Sequence, residues 1–214
     1  MNEIYLLGVG RNTPVFIDLA EHCGYNILGL YHYNDDRTGD SIHGFTILGS
    51  FDALYNQGSL SNGNFLLTMG NNVIRSSVAE RIRTMGGNTP TLVHPSAIVS
   101  RFSLIGTGVS ISPFSYVQAN SSVGNDTIIL SGVNISHNNT IGKSCFIAGG
   151  ATIGAYTDVG DFAFIGQGAL TISDKVKHIG EYACIGAGSL VTKPVPPRIT
   201  VVGQPAKPLP LKQR

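Results

Sequence analysis

The sequence predicts two domains of different class, a small α/β domain on a parallel sheet followed by an all-β coil of short strands. Three observations carry this. Starting at Val93 and ending at Ile165, every sixth residue is Ile or Val, thirteen positions in succession. Before that run, short apolar stretches (residues 4–7, 27–31 and 65–69) alternate with helix-like segments (13–23 and 73–85). Gly86-Gly87-Asn88-Thr89-Pro90 reads as the hinge between the two.

A period of six excludes an α-helix, because six residues turn it through about 600° and successive apolar residues drift around the surface. One flat strand of this length does not occur in globular folds. Each hexapeptide must therefore form one face of a coil, with its β-branched residue pointing inward. The residue after the anchor is usually small (Gly106, Gly124, Gly142, Gly154, Gly160, Gly166), as is the residue two before it (Ser115, Ser121, Thr127, Cys145, Ala151, Thr157). Both are expected to serve tight corners that need small side chains or positive φ. The pattern stalls at Thr171 and resumes at Ile179, Ile185 and Val191, so residues 171–178 are expected to bulge out as a loop. Sixteen faces at three per coil make about five coils.

In the first domain, the apolar run 4–7 leads into Gly8-Val9-Gly10 and a helix that Thr13 can cap, with Pro14 in its first turn and Gly24 as its stop. Strand, helix, strand with a glycine turn suggests a parallel sheet resembling half a Rossmann domain. Gly8-x-Gly10 lacks the third glycine of the dinucleotide fingerprint, so a plain strand-to-helix turn explains it better. Ligands of such sheets bind outside the carboxyl ends of the strands, where Gly10, Arg11, Asn12, His32, Tyr33 and Gly70 fall. Bare amides at a helix start there would suit a phosphate or a polar sugar.

Composition narrows the classes. A net charge of +1 and 13% charged residues in 214 leave no footprint for nucleic acid. An odd number of cysteines, three, fits a reducing compartment. With no signal peptide and no apolar run of membrane length, a soluble cytoplasmic protein without membrane partners is the expectation. None of the six histidines has zinc-site spacing, so no metal is expected. Beyond residue 192 the chain carries Lys193, Arg198, Lys207, Lys212 and Arg214 and no acid, which suits a phosphate-rich ligand such as coenzyme A or simply solubilises the tail.

The motif [Ile/Val]-Gly-x-x-x-x resembles the hexapeptide-repeat acyltransferases, which fold as a left-handed parallel β-helix. A small Rossmann-like domain before such a coil resembles the bacterial sugar acetyltransferases of the sialic-acid and bacillosamine type. Gly70-Asn71-Asn72 and Gly203-Gln204-Pro205-Ala206-Lys207 match that family, and the likeness covers nearly the entire chain. The first turn, Gly8-Val9-Gly10-Arg11-Asn12-Thr13, departs from the family's Gly-x-Gly-Gly-His-Gly.

The resemblance implies a Rossmann-like sugar-nucleotide-binding domain over residues 1–88 and a left-handed β-helix acyltransferase domain over 89–214. It implies a homotrimer with acetyl-CoA as co-substrate, and acetylation of the amino group of a nucleotide-linked 4-amino-4,6-dideoxyhexose for surface glycans. His137, in Ile135-Ser136-His137-Asn138-Asn139-Thr140-Ile141-Gly142, takes the place of the catalytic base, and Asn138 stands where an acid is usual. Ala155, eighteen residues on, would offer its N–H to the thioester carbonyl. Phe146 and Gln167 would line the pantetheine channel, with Gly186 and Ala187 approaching further along; Lys193 and Lys207 would meet phosphates. The rival readings are O-acetylation of a sialic-acid-like sugar and a non-catalytic trimeric scaffold.

Overall fold

The computed structural model describes residues 2–209, in two compact units, Met1–His94 and Pro95–Arg214. The break falls later than the expected boundary at residue 88. The glycine-rich segment is tied into the first unit: Gly87 N donates to Ile82 O (3.0 Å), Asn88 N to Gly63 O (2.8 Å) and Phe65 N to Asn88 O (2.8 Å). Arg83 also reaches Thr89 Oγ1 at 2.8 Å, so these residues extend the sheet edge and are no free hinge.

The first unit runs β1 (Asn2–Leu7), α1 (Thr13–His22), β2 (Tyr25–His32), β3 (Ser41–Ile42), β4 (Phe45–Ser50), α2 (Phe51–Tyr55), β5 (Phe65–Leu67) and α3 (Asn72–Thr84). The sheet order is β3-β4-β2-β1-β5, parallel except for the β3–β4 hairpin. The β3–β4 hairpin and α2 were not expected. Their signals are local: His43-Gly44 turns the hairpin with φ of 49° and 88°, and Ser50 Oγ caps α2 by accepting from Ala53 N at 3.1 Å. Thr13 does not cap α1. Asn12 holds the cap position, while Thr13 Oγ1 accepts from Gly10 N (2.8 Å) and locks the turn before the helix.

The second unit is a three-faced coil of parallel two-residue strands, ended by the antiparallel pair Thr200–Val202 and Lys207–Pro208. One face carries Ile98–Val99, Tyr116–Val117, Asn134–Ile135, Thr152–Ile153, Leu170–Thr171 and Leu190–Val191. Successive coils pair in a register of eighteen, Val117 with Ile135 and Ile135 with Ile153. After the bulge the register is twenty, Val159 with Ile179 and Thr171 with Val191, so the fourteen-residue step is a two-residue insertion. Residues 172–177 form the expected loop, but Thr171 stays in the anchor position (1% exposed) and Val176 turns back into the core. Val195 and Val201 join that core beyond the last expected anchor.

The two small positions do different work from the expected one. Positive φ falls three residues after the anchor, at Gly108, Asn120, Asp126, Gly132, Asn138, Gly150, Tyr156 and Phe162. The glycine after the anchor answers to close approach: a Cβ on Gly124 would lie 2.6 Å from Gly142 C. The small polar residue before the anchor forms an internal ladder. Thr127 Oγ1 accepts from Cys145 N (3.0 Å) and donates to Gly142 O (3.0 Å), and Ser121 Oγ serves Asn139 N (3.1 Å) and Ser136 O (2.9 Å) alike. Backbone groups sealed inside the coil thus keep partners. Cys145 belongs to the same ladder, its thiol 3.3 Å from Gly160 O.

Candidate active site

Two places hold the candidate residues, one in each unit. In the first unit a cavity of about 310 Å³ opens at the carboxyl ends of β1, β2 and β5, where the strand order reverses. Gly10, Arg11, Asn12, His32, Tyr33 and Gly70 all line it, together with Phe51, Thr68, Met69 and Ile74, which the sequence did not single out. Gly8 has φ +100°, and a Cβ there would sit 2.4 Å from Met69 Sδ, so only glycine closes this turn. The helix start is less bare than expected, because Thr13 occupies the Gly10 amide.

The floor of the cavity is braced by a buried arginine. Arg75, 1% exposed, donates to Met69 O and to Asn72 Oδ1, both at 2.9 Å, and so fixes the loop after β5. His32 is buried at the end of β2, with its Nδ1 without a hydrogen-bond partner among the described residues and its ring 4.2 Å from that of Tyr33. Burial holds this imidazole below the usual histidine range, with Arg37 adding to the effect and Asp36 opposing it.

In the second unit His137 and Asn138 lie exposed on the corner that follows the Asn134–Ile135 strand. Asn138 has φ 59°, a conformation asparagine tolerates, and this turns its side chain back on its neighbour. His137 Nδ1 lies 2.8 Å from Asn138 Oδ1. An amide oxygen only accepts, so in the neutral ring this contact calls for the proton on Nδ1 and leaves the lone pair on Nε2. Asn138 thereby selects the tautomer a base needs, without a charge.

Ala155 stacks on His137 as the repeat requires, since Ile135 pairs with Ile153. Its amide is not bare: Ala155 N donates to Ser173 Oγ at 3.0 Å. Tyr156 and Ser173 are further residues of this corner that the sequence did not single out. The Tyr156 ring meets His137 edge to face at 5.4 Å, and Lys177, paired with Asp174, lies 5.8 Å from the Tyr156 centroid.

The coenzyme candidates are split. Gln167, Gly186 and Ala187 lie on the corner before the same face, and Phe146, 6% exposed, stacks on Phe164 at 5.5 Å beside it. One prism face therefore separates them from Ala155 and His137. Lys193 and Lys207 are exposed, Lys207 in a hairpin with Val202. Arg198 is engaged structurally, 4.3 Å over the Tyr182 ring and 3.4 Å from Glu181 Oε1, while Lys212 and Arg214 lie outside the described residues. Cys23 and Cys184 are half-buried, and burial raises both thiols. Among the described residues no cluster of three metal-ligating side chains occurs, and no helix is long and apolar enough to cross a membrane.

Residues 3–82 match the family described as the PglD N-terminal domain. The chain is similar to the solved acetyltransferase domain of PglB from Neisseria gonorrhoeae, at 30% identity and a TM-score of 0.89 over 98% of this chain and 100% of that one. It is similar to PerB from Caulobacter crescentus, solved in complex with CoA and GDP-perosamine, at 27% identity and a TM-score of 0.88 over 98% of both chains. A curated relative, GDP-perosamine N-acetyltransferase of Escherichia coli O157:H7, is 30% identical over 117 residues. That match spans 54% of this chain and about half (52%) of the relative.

Proposed function

Because the chain belongs to the left-handed β-helix sugar acetyltransferases with a PglD-type N-terminal domain, we propose that it transfers an acetyl group from acetyl-CoA to the amine of a nucleotide-linked amino sugar. The observation that carries this reading is the His137–Asn138 contact, which leaves His137 Nε2 as an exposed proton acceptor on the coil. As the amine nitrogen attacks the thioester carbon, its proton passes to Nε2. When the C–S bond breaks, that proton is returned to the departing sulfur.

We place the nucleotide sugar in the cavity of the first unit. The amides of Arg11 and Asn12 stand at the start of α1 and suit a diphosphate, while His32, Tyr33, Phe51 and Ile74 offer rings and apolar surface to a base. The coenzyme belongs to the coil, where Phe146, Gln167, Gly186 and Ala187 would follow its pantetheine arm. These residues and Ala155 sit on two corners of one prism, and a site that unites them needs a second copy of the chain. A homotrimer supplies one. Apolar side chains exposed on the shared face, Ile98 (61%), Tyr116 (41%) and Leu170 (43%), support such an assembly. A cytoplasmic setting fits the coenzyme and three cysteines that form no disulfide among the described residues.

The test is to incubate the protein with acetyl-CoA and a panel of nucleotide-linked amino sugars while following free thiol. Thiol release that requires the sugar amine is expected. Transfer only to sugar hydroxyls, or none despite coenzyme binding, would overturn the reading. Light scattering checks the assembly, where a stable monomer near 22.6 kDa would exclude the trimer.

A further inference from the structure

The backbone ladder departs from its repeat on the coil above His137. On the coil below, the residue after the anchor donates to the next anchor carbonyl, as Ser136 N does to Ile153 O at 2.9 Å. Gly154 instead gives its N–H to the Thr171 hydroxyl (2.8 Å), and Ala155 gives the following one to Ser173 Oγ (3.0 Å). Two successive amides are thus answered by hydroxyls. The approach is close, since a Cβ on Gly154 would lie 2.5 Å from Ser173 N.

Two other corners cap the equivalent amide, Thr107 N with Asn125 Oδ1 and Lys143 N with Asp161 Oδ1, both at 2.9 Å. Those acceptors have no hydrogen to pass on. A serine has one. Ser173 is exposed, and its own hydrogen is donated to no protein group among the described residues. An N–H donated to a hydroxyl oxygen polarises the O–H and makes it a stronger donor.

Resting on the acetyl-transfer reading of this corner, the geometry points to Ser173 as a catalytic residue: its hydroxyl donates to the thioester carbonyl oxygen as that oxygen gains charge, with Ala155 N–H behind it. His137, Ala155 and Ser173 stand eighteen residues apart in turn on one corner, and the Ser173 hydroxyl reaches back to within 3.0 Å of Ala155 N, whose backbone is one strand spacing of about 5 Å above that of His137. The amine electron pair forms the C–N bond and the carbonyl π pair moves to oxygen under the Ser173 hydroxyl. That pair then re-forms the carbonyl as the C–S pair leaves with sulfur, which takes the proton held by His137.

The experiment compares full-length wild type, Ser173→Ala and Ser173→Thr for kcat and for acetyl-CoA affinity by calorimetry. Losing one oxyanion donor costs about 10²- to 10³-fold in kcat where nothing replaces it. In Ser173→Ala the freed Ala155 amide offers partial replacement, so a loss of about tenfold or more is expected, with coenzyme affinity unchanged and with Thr restoring most of the rate. An unaltered or faster Ser173→Ala overturns the inference, because the hydroxyl would then only block the amide. Wild type that binds acetyl-CoA yet acetylates no amine overturns the functional reading itself, and Ser173 with it.

Discussion

The Tyr156 ring stands at 89° to that of His137, with centroids 5.4 Å apart. Its backbone is left-handed (φ 61°), so the corner turns an aromatic side chain against the base where glycine or asparagine would be easier. Contact of an aromatic face with the imidazolium formed in the reaction is worth about 0.5–1 kcal/mol at exposed sites. Tyr156→Asn should therefore lower kcat by roughly two- to fivefold without lowering thermal stability, and Tyr156→Phe should stay close to wild type. Steady-state kinetics beside a melting curve checks both.

The coil's two kinds of glycine should respond differently. Gly124→Ala drives a Cβ to 2.6 Å from Gly142 C and Lys143 N, which can only be relieved by parting two coils. A loss of about 1–3 kcal/mol in urea unfolding is expected. Gly132→Asn, at φ +70° with its nearest neighbour 4.0 Å away, should change stability by less than about 0.5 kcal/mol. Equal costs at both positions would contradict the separation of close approach from left-handed backbone.

That separation marks where the sequence was legible and where it was not. Thirteen successive anchors declare the coil because such residues must point into one narrow core, and the structure buries the ten from Ile111 to Ile165, while Val99 and Ile105 are half-buried at its first turn and Val93 is exposed, with Leu92 buried in its place. The small residues flanking them were legible as a pattern, but not in their causes, which depend on the neighbouring coil eighteen residues away. His137 could be singled out through the likeness of its segment to the family's, and all six cavity candidates from their place after strands. Ser173 could not. It lies in the stretch where the period fails, and its partner, the Ala155 amide, has no sequence signature. The β3–β4 hairpin escaped because its strands are short and its turn rests on a histidine before the glycine.

His32 should give the fold a pH dependence of stated sign. Burial, with Arg37 second, holds its imidazole below the ordinary histidine range against the opposing pull of Asp36. The unfolded chain then binds the proton more readily. Its stabilising contribution is complete above the unfolded value of about 6.5 and is lost as pH falls below it toward the lower folded value. The midpoint of urea unfolding should drop from pH 7.5 to pH 5.5, and His32→Phe should shrink that drop. A variant whose midpoint falls as far as wild type would show that His32 does not contribute.

His137→Ala should remove the base and leave the fold, because the side chain sits exposed on a corner while Ile135 and Ile153 hold the core beneath it. General-base assistance contributes about 10² to 10⁴ in rate, so kcat should fall by that order with little change in acetyl-CoA affinity. Asn138→Asp tests the partner. It keeps an acceptor within reach of Nδ1, currently 2.8 Å away, and adds a negative charge that favours the protonated ring. The acidic limb of the pH–rate profile should therefore move to higher pH, and above that limb the variant should be at least as fast as the parent. An unaltered rate for His137→Ala would remove the base from the mechanism. If the acidic limb stays in place in Asn138→Asp, the contact between the two side chains does not govern the proton on the ring.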